Sequence, residues 1–209
     1  MLRDKNKILK ALALMLEFLV IGLVIYLVAL PIWPALKYKY FYQNKTSVAD
    51  FRDLKKVARQ TEQIANHLPE TKNISANRLI ITKIGLNAPI VEADNVDDGL
   101  NKGAWRMPES STPAKGGNTV ITGHRFKYLP PNNLTFFLFD KLAKDDLVSV
   151  IWREKNYFYK VREIKIIEPT DLSILKPTTQ PTLTLYTCDP IYSQENRLAV
   201  ISELIEHLP

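Results

Sequence analysis

The sequence predicts an all-β domain, a closed barrel or a sandwich of about seven or eight short strands with short helices, preceded by a transmembrane helix and a juxtamembrane helix. Three observations carry this. Residues 11–30, ALALMLEFLVIGLVIYLVAL, are apolar except for Glu17. Residues 46–68 place Phe51, Leu54, Ala58, Thr61, Ala65 and Leu68 at alternating spacings of three and four. From Asn77 onward the chain changes to short runs rich in Val, Ile, Leu, Thr and Tyr, separated by Gly, Pro, Asn and Asp.

The apolar run is long enough, at about 1.5 Å per residue, to cross a hydrocarbon core of about 30 Å. Lys and Arg before it outweigh those after it, which predicts residues 1–10 in the cytoplasm and everything after Pro31 outside. A cleaved signal peptide would have a shorter apolar region and a small-x-small site. Here the run continues into Pro31-Ile32-Trp33-Pro34 and then Tyr38, Tyr40, Phe41 and Tyr42, aromatics suited to a membrane interface, so an uncleaved signal anchor is the reading. Glu17 is costly near mid-bilayer and marks either a helix–helix contact or a side chain that protonates or snorkels.

Residues 31–76 then form a stalk. Ser47 is a candidate N-cap for an amphipathic helix over 46–68, a spacer more simply than a lid over a site, and Pro69 ends it before a polar linker through Ala76. The domain proper is residues 77–209. Its predicted strands are Arg78–Ile84, Pro89–Glu92, Asn118–Thr122, Leu147–Trp152, Tyr157–Ile167, Leu183–Thr187 and Arg197–Leu204, with a helical turn near Leu134–Leu142. Trp105 and Trp152 read as core or barrel-surface aromatics, and Gly116-Gly117 as a turn.

The net charge of +6 argues for a membrane rather than for nucleic acid. Residues 1–40 hold six cations against Asp4 and Glu17, so +4 of the total sits around the apolar run, and the other 169 residues show neither a basic run nor a nucleic-acid motif.

Cys188 is the single cysteine, which excludes an intramolecular disulfide and leaves an unpaired thiol outside the membrane. Side chains alternate along a strand, so Thr184, Tyr186 and Cys188 share one face while Leu183, Leu185 and Thr187 share the other. If the last two strands are antiparallel neighbours, the link Asp189–Asn196 brings Cys188 beside Arg197. A thiol is a good nucleophile as thiolate, a form that a neighbouring cation or imidazolium favours. Of the three histidines, His67 falls in the stalk helix and His207 near the C-terminus, both reading as surface groups; His124 follows Gly123 at the end of a predicted strand, where site residues concentrate.

Together these segments resemble the sortases. Thr184-Leu185-Tyr186-Thr187-Cys188 is similar to the family's TLxTC signature, Thr122-Gly123-His124-Arg125 to its catalytic-histidine motif, and Arg197 in Asn196-Arg197-Leu198-Ala199-Val200 stands where sortases carry their arginine. The order of segments from Arg78 through Leu86–Val91, Leu100–Pro108 and Gly116-Gly117-Asn118 also follows the family, over roughly residues 77–209. The resemblance implies a closed eight-stranded or seven-stranded barrel and cysteine transpeptidation. By resemblance, Cys188 attacks the threonine carbonyl of an LPxTG-like sorting signal, His124 exchanges the proton with the leaving and incoming amines, and Arg197 stabilises the oxyanion. It also implies that only part of the protein holds Cys188 as thiolate with His124 protonated.

Thr187 carries over as a support residue for substrate or oxyanion, or is simply a β-branched strand residue. The loop at about Glu168–Pro181 bounds the substrate groove in the family, so Pro169, Leu172, Ile174 and Leu175 either wall a pocket for Leu-Pro or pack the loop. The implied partners are surface proteins bearing a C-terminal sorting signal, a cell-wall precursor or pilin amine acceptor, and membrane lipid. No cofactor is expected. Asp94, Asp97 and Asp98 raise calcium only weakly, because they lack the ligand spacing of a dedicated loop, and no two His or Cys stand at zinc spacing.

Other enzyme classes fit less well. Papain-like peptidases place cysteine before histidine, and L,D-transpeptidases carry an SHGC-like motif absent here. A hydrolase using the same dyad remains open, since water can resolve a thioester, and so does a non-enzymatic barrel scaffold. The linker at 69–77 lacks a DPW-like plug, which favours wall anchoring over pilin polymerisation.

Overall fold

The computed structural model describes residues 2–42, 77–127 and 134–208. The predicted amphipathic helix at 46–68, with Ser47 and His67, and the linker after it lie outside the described residues. Helix α1 (Leu2–Lys37) runs through the apolar segment and beyond it, past Pro31 and Pro34, into a π-helical turn at Tyr38–Tyr42. The helix therefore does not stop at Leu30. Each proline removes one N–H donor, but the hydrogen bonds on either side keep the remaining backbone helical, as apolar membrane-type helices allow. The candidate span Lys7–Tyr40 has a mean hydropathy of 2.6 in its most apolar window and buries none of it inside the protein.

Residues 77–127 and 134–208 hold a closed eight-stranded barrel. Its strands are β1 (Arg78–Ile81), β2 (Leu86–Glu92), β3 (Ala104–Arg106), β4 (Asn118–Thr122), β5 (Leu147–Trp152), β6 (Lys155–Ile167), β7 (Thr182–Asp189) and β8 (Asn196–Leu208). Around the barrel the order is β1-β2-β3-β4-β7-β8-β6-β5, with β5 returning to β1. The β2/β3 and β4/β7 pairs are parallel and the others antiparallel. Closure leaves no open sheet edge among the described strands.

Two departures from the predicted elements have local causes. The run Arg78–Ile84 divides because Thr82–Ile84 forms a 3-10 turn closed by Gly85, whose φ of 66° is left-handed and whose N–H donates to the Thr82 carbonyl at 3.1 Å. The parallel pairing of β2 with β3 requires a crossover, supplied by helix α2 (Val96–Lys102). Asn95 caps it, its Oδ1 accepting from the Asp98 N–H at 2.9 Å. Asp97 and Asp98 thus sit in the first turn of α2, where the helix dipole favours negative charge.

Inward-facing side chains fill the barrel. Trp152, Tyr159, Phe136 and Phe139 are fully buried there, with Leu79, Ile121, Leu183 and Leu185. Phe136 and Phe139 come from the predicted helical turn, which is a 3-10 turn over Phe139–Lys141, and stack at 4.8 Å. A second cluster lies outside the barrel: Ile174 of the loop between β6 and β7 packs on Ala199 and Ile201, with Ile167, Leu175 and Tyr186 against it.

Candidate active site

Three adjacent strands bring the predicted catalytic residues together. In the parallel β4/β7 pair Asn118, Val120 and Thr122 stand opposite Thr182, Thr184 and Tyr186, so two positions further on His124 comes alongside Cys188. In the antiparallel β7/β8 pair Cys188 stands directly opposite Arg197. The core takes Ile121, Leu183 and Leu185, which leaves Cys188 on the outer face with Thr184 and Tyr186. His124 and Cys188 line one cleft of about 190 Å³, together with Phe126, Ile191, Tyr192 and Gln194. Both are half-buried, and two of the lining rings, Phe126 and Tyr192, meet in a T-shaped contact with centroids 5.0 Å apart.

Glycine at 123 is required by packing. A Cβ there would lie 2.6 Å from Cε1 of buried Phe136. The bare backbone lets β4 end against the core and turn His124 outward. Two hydrogen bonds lock this end of β4 to β7: the Thr122 hydroxyl donates to the Tyr186 carbonyl at 3.0 Å, and the Thr187 hydroxyl donates to the Gly123 carbonyl at 2.7 Å. Thr187 is therefore buried and turned inward, its hydroxyl committed to the strand that carries His124.

Arg125 carries a role the sequence did not reveal. Its guanidinium, 4% exposed, forms ion pairs with Asp140 at 2.9 Å and Asp189 at 3.3 Å. Its Nε donates to the Phe137 carbonyl at 3.1 Å, and Nη1 reaches the Cys188 carbonyl at 3.5 Å. One side chain thus joins the histidine loop, the Phe136–Asp140 turn and the backbone of the cysteine strand. The residue next to His124 in a histidine motif is the only sequence signal pointing to it.

Arg197 directs Nη1 to the carbonyls of Gln194 and Asn196 at 3.1 and 3.0 Å. Its Nε and Nη2 have no hydrogen-bond partner among the described residues, so they are available as donors beside Cys188. Burial lowers the pKa of His124 below its ordinary 6.5; Lys127 acts in the same direction and Asp97 opposes it. Neutral imidazole is therefore the favoured form at neutral pH.

The loop residues divide by environment. Ile174 is buried and Leu175 packs beside it, whereas Pro169 and Leu172 are exposed, Leu172 at 64%. None of the four lines the His124–Cys188 cleft; Leu175 instead lines a separate cleft of about 440 Å³ with Arg106, Pro108, Asn118 and Pro177. Tyr186, which the sequence placed on the cysteine face, donates its hydroxyl to Met107 Sδ at 3.6 Å. His207 pairs with Tyr157 at the far end of β8, away from this site. Among the described residues no group of three metal-ligating side chains comes together.

A half-buried thiol, an outward imidazole and an arginine thus stand together on three adjacent strands of a closed mixed barrel. The family model described as the sortase domain matches residues 79–205, and the chain belongs to the sortase family. It is 31% identical over 132 residues to sortase D of Bacillus subtilis, covering 63% of this chain and 62% of that protein. It is 26% identical over 146 residues to sortase SrtE1 of Streptomyces coelicolor, covering 63% of this chain and 40% of that one. The chain thus spans less than two thirds of the length of these two relatives. The crystal structure of S. coelicolor sortase E1 with a tripeptide in its active site superimposes with a TM-score of 0.58 at 26% identity, over 65% of this chain and 90% of that one. Listeria monocytogenes sortase A shares the fold, with a TM-score of 0.57 at 24% identity over 65% of this chain and 90% of its own.

Proposed function

We propose that this protein is a membrane-anchored cysteine transpeptidase that cleaves an LPxTG-like sorting signal and transfers the acyl-threonine to an amine at the cell surface. The observation that carries this reading is the in-register placement of Cys188 against Arg197, with His124 on the neighbouring strand end. Cys188 Sγ attacks the threonine carbonyl, and the developing oxyanion lies toward the Nε and Nη2 donors of Arg197. Collapse breaks the peptide bond, and His124 gives its proton to the departing glycine amine. The thioester is then attacked by the acceptor amine, His124 takes up that amine's proton, and the thiolate leaves. Thr187 supports the site by holding Gly123 and with it His124.

With His124 favoured neutral, only part of the population holds the thiolate–imidazolium pair that reacts. The outward face of β4, β7 and β8 provides the groove floor, and Pro169 and Leu172, exposed on the loop after β6, are the apolar side chains free to meet the signal's Leu-Pro. Helix α1 is the anchor, with its Lys-rich N-terminus in the cytoplasm and the barrel outside. The acceptor is a cell-wall precursor amine, and the protein substrates are surface proteins bearing a C-terminal sorting signal. Incubation of the full chain in detergent micelles with an LPxTG-type peptide and an added amine tests this. An amide product joining the signal's threonine to the amine is expected; free acid alone, in the presence of excess amine, would show a hydrolase instead.

A further inference from the structure

We propose that Asn118 is a positioning residue for substrate recognition, its buried amide pinning the loop of residues 168–181 along the outer face of the barrel beside Cys188. The proposal rests on the acyl-transfer reading of the site for its consequence, but the pinning itself is independent of that reading.

Asn118 opens β4, at the end of the strand opposite His124, and is 5% exposed. Its Nδ2 donates to the carbonyls of Ile174 and Lys176, each at 2.9 Å, and its Oδ1 accepts from the Thr184 hydroxyl at 2.7 Å. Carbonyls accept only, so these two partners fix which end of the amide carries the nitrogen. Both donors and the acceptor of one buried side chain are thereby used.

The two carbonyls flank Leu175, so the amide grips the C-terminal half of the 3-10 turn Ser173–Leu175, which follows a first turn at Glu168–Asp171. The loop leaves β6 at Ile167, which stands opposite Arg197, and enters β7 at Thr182, which stands opposite Asn118. It therefore travels along the face that ends at Cys188. Strand β6 holds it at the first end, and Asn118 with the packing of Ile174 on Ala199 and Ile201 holds it further along. Between these two attachments lie Pro169 and Leu172, both exposed. Fixing the second attachment restricts that stretch before any peptide arrives, and preorganisation of this kind strengthens binding by lowering its ordering cost.

Asn118 lies six positions along the strand direction from His124, about 20 Å at 3.3 Å per residue. A side chain so placed acts on substrate affinity through the loop and leaves the reacting groups untouched. Its loss is expected in KM, with kcat preserved.

The test compares the full chain and Asn118→Asp in detergent micelles. Aspartate keeps the size and the acceptor for Thr184 but turns a carboxylate oxygen toward two carbonyls. Three readouts are expected: amide exchange within residues 168–178 rising by roughly tenfold or more, Cys188 alkylation by iodoacetamide within about twofold of wild type, and KM for an LPxTG-type peptide rising by about tenfold with kcat within about threefold. If Asn118→Asp does not fold, Thr184→Val carries the same test, since it removes the hydroxyl that orients the amide; a KM increase of about threefold is then expected. Unchanged loop exchange overturns the pinning. Raised exchange with unchanged KM, or alkylation and kcat falling together, overturns the role in recognition. A wild-type chain that acylates with no peptide refutes the acyl-transfer reading and with it the role in recognition, while exchange and alkylation still decide whether Asn118 holds the loop.

Discussion

Replacing Arg125 with alanine removes a guanidinium that is 4% exposed; Asp189 and the Phe137 carbonyl lose this donor, and Asp140 keeps only its ion pair with Lys141. Breaking a fully buried ion pair costs about 3–5 kcal/mol. Asp140 is 40% and Asp189 19% exposed, so water can reach both carboxylates, and their share falls to about 1–2 kcal/mol. Phe137 is buried, and an unsatisfied carbonyl there adds about 1 kcal/mol or more. The sum, about 3 kcal/mol, corresponds to a Tm lower by roughly 10 °C for a domain of this size. Because Arg125 also fixes the backbone on which His124 and Cys188 sit, a displacement of about 1 Å would reduce kcat/KM by about a hundredfold. Arg125→Lys keeps the charge but lacks the planar fork, and should fall between wild type and alanine on both scales. Thermal unfolding of the full chain in micelles, paired with peptide kinetics, measures both. A change in stability below about 0.5 kcal/mol for Arg125→Ala, the range of ordinary surface substitutions, would refute the reasoning.

Two further predictions concern the histidine strand. In Cys188→Ala protein, which removes coupling to the thiol, the His124 imidazole should titrate below pH 6.5 by NMR, because burial disfavours its charged form; a midpoint at or above 6.5 would contradict this. The sign for stability follows: the unfolded chain binds the proton more readily, so this contribution is complete above pH 6.5 and is lost as pH falls through the folded-state value. Gly123→Ala should cost about 1–3 kcal/mol, since its Cβ would press on the buried ring of Phe136. Urea unfolding checks it, and combination with Phe136→Leu, which frees the space, should recover part of the loss.

The juxtaposition of Cys188 and Arg197 was legible in the sequence because strand alternation and an eight-residue link leave little freedom in pairing. The barrel strands Asn118–Thr122 and Leu147–Trp152 were legible to the residue, each a β-branched run bounded by turn residues. Strand β3 was not, because three residues carry no period, and its existence depends on parallel pairing with β2. Helix α2 was hidden because Val96-Asp97-Asp98-Gly99-Leu100-Asn101-Lys102 lacks an apolar stripe; Gly99 instead admits the Trp105 ring. The extension of α1 past Pro31 opposes the usual propensity of proline, which reports on an isolated helix interior and not on a helix continuing between apolar turns. Arg125 and Asn118 were opaque for a common reason. Their partners lie between 12 and 66 residues away and include backbone carbonyls, which any residue provides.

The claim that Cys188 is an acyl-accepting nucleophile is tested most directly by intact-mass analysis of the full chain in micelles after incubation with an LPxTG-type peptide library. The account predicts an adduct equal to the peptide through its threonine, less the departing glycine portion, located on Cys188 and absent from Cys188→Ala. A folded chain whose Cys188 reacts with iodoacetamide yet forms no acyl adduct with any peptide of the library would contradict it.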